Sequence, residues 1–174
     1  MSNSLLISSF ATWKPEQSSN SSDDLLAAIL GEQGFPAPVH LLRQLPVDFD
    51  LAPKLVIAAI AELQPRAVIC TGMAETRTVL SVEDRAIHRQ QVRQTAVNVE
   101  QLVAGLTHTR ISQDAGNFVC NFLYYSVLAY LDRQEQENQD RKTPGLFIHV
   151  PRLHSTNQSG MVADFLTLCD RLLQ

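Results

Sequence analysis

The sequence predicts an α/β fold in which a central sheet is covered by helices on both faces, a three-layer α/β/α sandwich. Arg66-Ala67-Val68-Ile69-Cys70-Thr71-Gly72 and Leu146-Phe147-Ile148-His149-Val150-Pro151 are short, nearly unbroken apolar runs, which is what a strand buried on both faces requires. Such runs alternate along the chain with stretches whose apolar residues recur at helical spacing, the order expected of strands joined by helices. The chain has 174 residues, of which 45% are hydrophobic and 18% charged. That is enough for one sizeable core and too little for two, so residues 1–174 are expected to form a single domain.

Taken in order, Leu5-Leu6-Ile7 begins a buried strand ending near Phe10, and the Ser-, Gln- and Asn-rich stretch from Lys14 to Ser22 reads as an exposed loop. Ser22-Asp23-Asp24 is a helix-start signal; Leu25, Leu26, Ile29 and Leu30 form the inner face, and Gly34-Phe35-Pro36 stops the helix. Val39-His40-Leu41-Leu42 reads as a second strand, and a helix follows from about Pro53 to Leu63. Further helices are expected over 95–106, 117–134 and 157–173, and strands over 108–112 and 145–150. The charged run from Asp132 to Lys142 reads as a solvated helix end and loop. No internal repeat is present.

Composition narrows the function classes. A net charge of −4 offers no basic field for nucleic-acid phosphates or an anionic membrane surface. The segment Met1 to Phe10 lacks a positive stretch ahead of its short apolar run, and no later run reaches the length of a membrane span. A cytoplasmic protein is expected. Cys70, Cys120 and Cys169 are widely spaced single residues, which suggests neither a disulfide framework nor a zinc site, and no cofactor is called for.

Three residues could carry chemistry. Cys120 follows the Ala115-Gly116 break at a strand-to-helix junction, and Val119, Leu123, Val127 and Leu131 form the apolar stripe of the helix that it opens. There the unpaired N–H groups and the positive end of the helix dipole favour thiolate, the attacking form; core packing is the competing account of the same residue. His149 interrupts a buried-strand pattern just before Pro151, near a strand end, where sheet ligands collect. Glu83, in Ser81-Val82-Glu83-Asp84, reads as a helix-start carboxylate or as plain surface. Only their shared placement after strand ends joins the three.

A more specific signal lies in the local motifs. Ala115-Gly116-Asn117-Phe118-Val119-Cys120-Asn121 with Tyr125 resembles the nucleophile signature of the pyrrolidone-carboxylate peptidases, or pyroglutamyl peptidases I. Phe147-Ile148-His149-Val150-Pro151 is similar to the segment that holds the family's catalytic histidine, and Gly72 to Ile87 aligns without gaps on the stretch holding its glutamate. The resemblance implies a three-layer sandwich with a mostly parallel, mixed sheet of the phosphorylase/hydrolase-like kind. It implies a cysteine exopeptidase that removes an amino-terminal pyroglutamyl residue from peptides. Cys120, His149 and Glu83 are its catalytic triad, and Arg93 stands near the oxyanion. Phe10, Trp13, Met73, Phe118 and Val119 fall at the substrate, and a homodimer or homotetramer is implied.

The departures are as informative. Met73 stands where the family has a substrate-recognising glutamine, and Glu75-Thr76 replaces a pair of glycines. A long family loop that covers the bound ring is missing after Arg93, where the chain passes through Gln94-Thr95-Ala96 towards a helix. Two other functions are compatible with these changes: a catalytically silent homologue kept for protein contacts, and a hydrolase of a different small amide.

Overall fold

The computed structural model describes residues 3–138 and 142–174. Six strands form one sheet: β1 (Leu5–Phe10), β2 (Val39–Leu45), β3 (Ala67–Met73), β4 (Leu80–Glu83), β7 (Thr109–Ser112) and β8 (Gly145–Val150). Their spatial order is β2-β1-β3-β8-β4-β7. The first four run parallel; β4 is antiparallel to β8, and β7 is parallel to β4. The sheet is therefore mixed, as the resemblance implies. Beside it stands a small hairpin, β5 (Arg85–His88) with β6 (Gln91–Gln94).

Strand alternation divides the core in two. Leu5, Ile7, Ile69, Val82, Leu146 and Ile148 face helices α1 (Ser21–Glu32) and α5 (Gln158–Leu173), with Leu102 of the short α3 (Val99–Val103) at the edge. Leu6, Phe10, Val68, Cys70 and Phe147 face α2 (Leu51–Leu63) and α4 (Val119–Glu137). The second face carries the residues of interest, because Cys70 and Gly72, Ser81 and Glu83, and Phe147 and His149 share its parity.

Several expectations are corrected. The helix expected over 95–106 is helical only at Val99–Val103: Thr95 is held by Gly145 O and itself accepts from the Val97 N–H, and Asn98 caps the later start. The stretch 80–94, which sequence leaves without strands, contains β4, β5 and β6. The second strand runs on to Leu45. Helix α4 continues to Glu137, and residues 139–141 of the charged run lie outside the described residues. No helix among the described residues is long and apolar enough to cross a membrane.

Candidate active site

Helix α4 packs Val119, Leu123, Tyr124 and Val127 into the second core, which fixes its first turn against the sheet. No side chain caps that end, so its leading N–H groups are left for a ligand. The loop before it bends at Gly116, whose φ of +78° suits glycine, and the Gly116 N–H donates to Asp114 Oδ1 at 2.9 Å. Cys120 lies in this first turn.

The sulfur sits above Gly72. A Cβ on Gly72 would lie 2.6 Å from Cys120 Sγ and 2.9 Å from Phe147 Cζ, so only glycine leaves room for the thiol. Gly72 pairs in register with His149 on the neighbouring strand, which brings sulfur and imidazole to adjoining positions of one sheet face. Both residues line the same cavity of about 210 Å³.

His149 is buried, its ring against Phe147 at a centroid distance of 4.8 Å. Nδ1 lies 2.7 Å from Glu83 Oε1. With Nδ1 turned to the carboxylate, Nε2 is the nitrogen available to a thiol. Glu83 is not the helix-start or surface carboxylate that sequence suggests: it ends β4 and is fully buried. The same Oε1 receives Arg77 Nη1 at 2.6 Å, and Arg77 Nη2 donates to the Asp114 carbonyl at 2.6 Å. Arg77 thus ties the carboxylate to the loop in front of Cys120. Sequence reasoning passed over Arg77, although it stands within the stretch aligned on the family's glutamate segment. Tyr124 Oη donates to the Glu83 carbonyl at 2.9 Å.

Electrostatics at the sulfur differ from the sequence expectation. Burial pushes the Cys120 thiol up to about 12; a backbone N–H at the helix start pulls the other way, and the neighbouring Cys70 and Glu83 add to the rise. Desolvation outweighs the helix terminus and favours the thiol over the thiolate.

The cavity brings together Phe10, Trp13, Met73, Phe118, Val119, Cys120 and His149. Phe10 and Val119 are buried, whereas Trp13 and Phe118 stand half-exposed at the mouth, their rings 6.4 Å apart. Met73 turns its sulfur towards the Ser21 N–H at 3.4 Å. Arg93 is not among the lining residues. It lies on β6, paired with Asp132 and stacked over Tyr125 at 5.2 Å, so its guanidinium is committed away from the sulfur. Within the described residues, no group of three or more potential ligands could hold a metal ion.

The arrangement is a cysteine, a histidine and a glutamate gathered beside one cavity of a mixed α/β/α sheet. The sequence model described as Pyroglutamyl peptidase matches residues 97–163. The pyrrolidone-carboxylate peptidase of Klebsiella pneumoniae is 34% identical over 139 residues, 65% of this chain and 62% of that protein. The one from Erwinia tasmaniensis is 31% identical over 137 residues, 64% and 61% respectively. The matched stretch therefore spans less than two-thirds of these relatives. In fold the agreement extends further. The crystal structure of pyroglutamyl peptidase I from Bacillus amyloliquefaciens superimposes with a TM-score of 0.78 at 19% identity, covering 99% of this chain and 96% of that one. Pyrrolidone carboxyl peptidase from Thermococcus litoralis gives 0.75 at 17%, covering 96% and 91%. In sequence the chain is similar to the pyrrolidone-carboxylate peptidases over about two-thirds of its length, and its fold is that of pyroglutamyl peptidase I.

Proposed function

We propose that the chain is a cysteine exopeptidase that removes an amino-terminal pyroglutamyl residue from peptides. Cys120 Sγ attacks the carbonyl that joins the ring to the next residue, and its proton passes to His149 Nε2. The carbonyl becomes an oxyanion facing the uncapped N–H groups of the first turn of α4, where loss of one such donor costs about 10²- to 10³-fold in rate. The C–N bond breaks as His149 returns the proton to the leaving amine. Water, deprotonated by the same ring, then attacks the acyl-cysteine and releases pyroglutamate and the thiol. Glu83 holds the ring with Nε2 towards the sulfur and stabilises its protonated form. Arg93 has no part in this scheme, being occupied by Asp132.

The observation that supports this reading most is the pairing of His149 Nδ1 with Glu83 Oε1 at 2.7 Å, one strand away from the glycine over which Cys120 rests. Small size and aromatic walls suit the cavity to a flat, uncharged ring. Three free cysteines fit a reducing compartment, in keeping with peptides of the cytoplasm as substrates. A second reading, hydrolysis of a different small amide, is favoured by Met73, whose thioether offers the ring no amide to bond with.

Incubation with a fluorogenic pyroglutamyl amide tests the proposal. Turnover that disappears in Cys120→Ala and on treatment with iodoacetamide is the expected result. Labelling of Cys120 without turnover supports the second reading, and neither labelling nor turnover supports a silent homologue.

A further inference from the structure

Exposed aromatic side chains scattered singly over a surface call for no explanation, but here they are contiguous and begin at the cavity mouth. Phe118 and Phe49 are each 47% exposed. The ring of Phe118 meets Phe49 at 5.7 Å, Phe49 meets Phe122 at 5.6 Å, and Phe122 meets His88 at 5.0 Å. Phe118 and Phe122 are four residues apart and so share the outer side of the α4 start, while Val119 and Leu123 between and beyond them face the core. The ribbon therefore leads away from Cys120 along the helix and across to the β5–β6 hairpin.

Phe118 belongs to both features, lining the cavity beside Cys120 and heading the ribbon. For an acyl group seated in the cavity with its carbonyl at the helix start, Phe118 on the cavity wall two residues before Cys120 offers the attached chain an apolar way out along the ribbon. At about 3.3–3.6 Å per extended residue, the ribbon accommodates roughly four residues. We infer that this aromatic ribbon seats the leaving peptide and selects substrates whose residues after the pyroglutamyl ring are apolar or aromatic. The inference rests on the peptidase reading above and adds to it a second specificity site outside the ring pocket.

The test uses Phe49→Ala, since Phe49 lies outside the cavity and its exposure leaves folding to the rest of the chain. Pyroglutamyl-Phe-Leu-amide should be cleaved with a higher kcat/KM than pyroglutamyl-Gly-Gly-amide. Phe49→Ala should reduce that preference about tenfold while leaving the Gly-Gly substrate unchanged. Trp13, the only tryptophan of the chain, sits at the mouth and gives a readout independent of turnover. Phe-Leu-amide should perturb its fluorescence in the wild-type protein at concentrations where Gly-Gly-amide does not, and Phe49→Ala should abolish the difference. An unchanged preference, or equal fluorescence responses to the two amides, overturns the inference. So does a dimer in sedimentation that Phe49→Ala dissociates, which would make the ribbon an interface between copies. Absence of turnover on both peptides counts against the peptidase reading instead, and the fluorescence comparison then decides the ribbon alone.

Discussion

His149 and Glu83 meet as diagonal neighbours on one face of an antiparallel strand pair. The register sets Ser81 opposite His149 and Glu83 opposite Phe147, so a two-residue diagonal separates imidazole from carboxylate, a spacing that long side chains close. The register of β4 against β8 is what places the carboxylate beside the imidazole.

Removal of the sulfur should separate chemistry from stability. Cys120→Ala is expected to lower kcat/KM by roughly 10³-fold or more while its urea midpoint stays near that of the wild type. Equal losses of both would make Cys120 a packing residue.

The thiol's protonation is open to direct measurement. Because burial raises Cys120 to about 12, alkylation by iodoacetamide in the ligand-free protein should be slow at neutral pH. It should climb about tenfold per pH unit between pH 7 and 9, in step with the thiolate fraction. A rate already level at pH 6 would instead reveal a preformed thiolate–imidazolium pair.

Gly72→Ala inserts a methyl group where the sulfur lies. Displacing Cys120 from His149 should cut kcat by about 10²-fold, and the overpacking should cost about 1–3 kcal/mol in chemical denaturation. Wild-type kinetics in this variant would mean that the sulfur has another productive position.

Arg77→Met removes one of the two donors on Glu83 Oε1. The carboxylate is wholly buried, but the guanidinium is 25% exposed. The expected loss is therefore about 2 kcal/mol, below the range for a fully buried pair. Since Arg77 also braces the loop before Cys120, kcat should fall with KM little changed. A fall confined to KM would argue that Arg77 touches substrate instead.

Alkaline conditions should weaken the fold. Burial holds the Cys70 and Cys120 thiols at about 12, against 9.0 for an unperturbed thiol. Above pH 9 the unfolded chain has lost protons that the folded chain keeps, so stability decreases as pH rises and is undiminished below that point. The slope should approach about 1.4 kcal/mol per pH unit per thiol between pH 9 and 12. Urea unfolding at pH 8, 9 and 10 checks this, with Cys70→Ala expected to flatten the fall.

Much of the architecture was legible because β3 and β8 are apolar runs that few other environments accept, and because Gly116 and Pro151 mark the ends where Cys120 and His149 stand. The hairpin was hidden by its turn: Arg89 and Gln90 adopt φ of +47° and +68°, a conformation normally announced by Asn-Gly. The strand that carries Glu83 has only four residues, Leu80–Glu83, too few for alternation to speak. Strand direction leaves no local trace at all, so the partner of His149 could be named only by resemblance. The burial that raises the Cys120 thiol likewise involves Gly72 and Phe147, both far away in the chain.

The carboxylate and the imidazole are 66 residues apart and join only after a strand of opposite direction has been laid between β8 and β7. Without β4 in place His149 Nδ1 has no carboxylate beside it, so the orientation of the ring belongs to the assembled sheet and to no local segment.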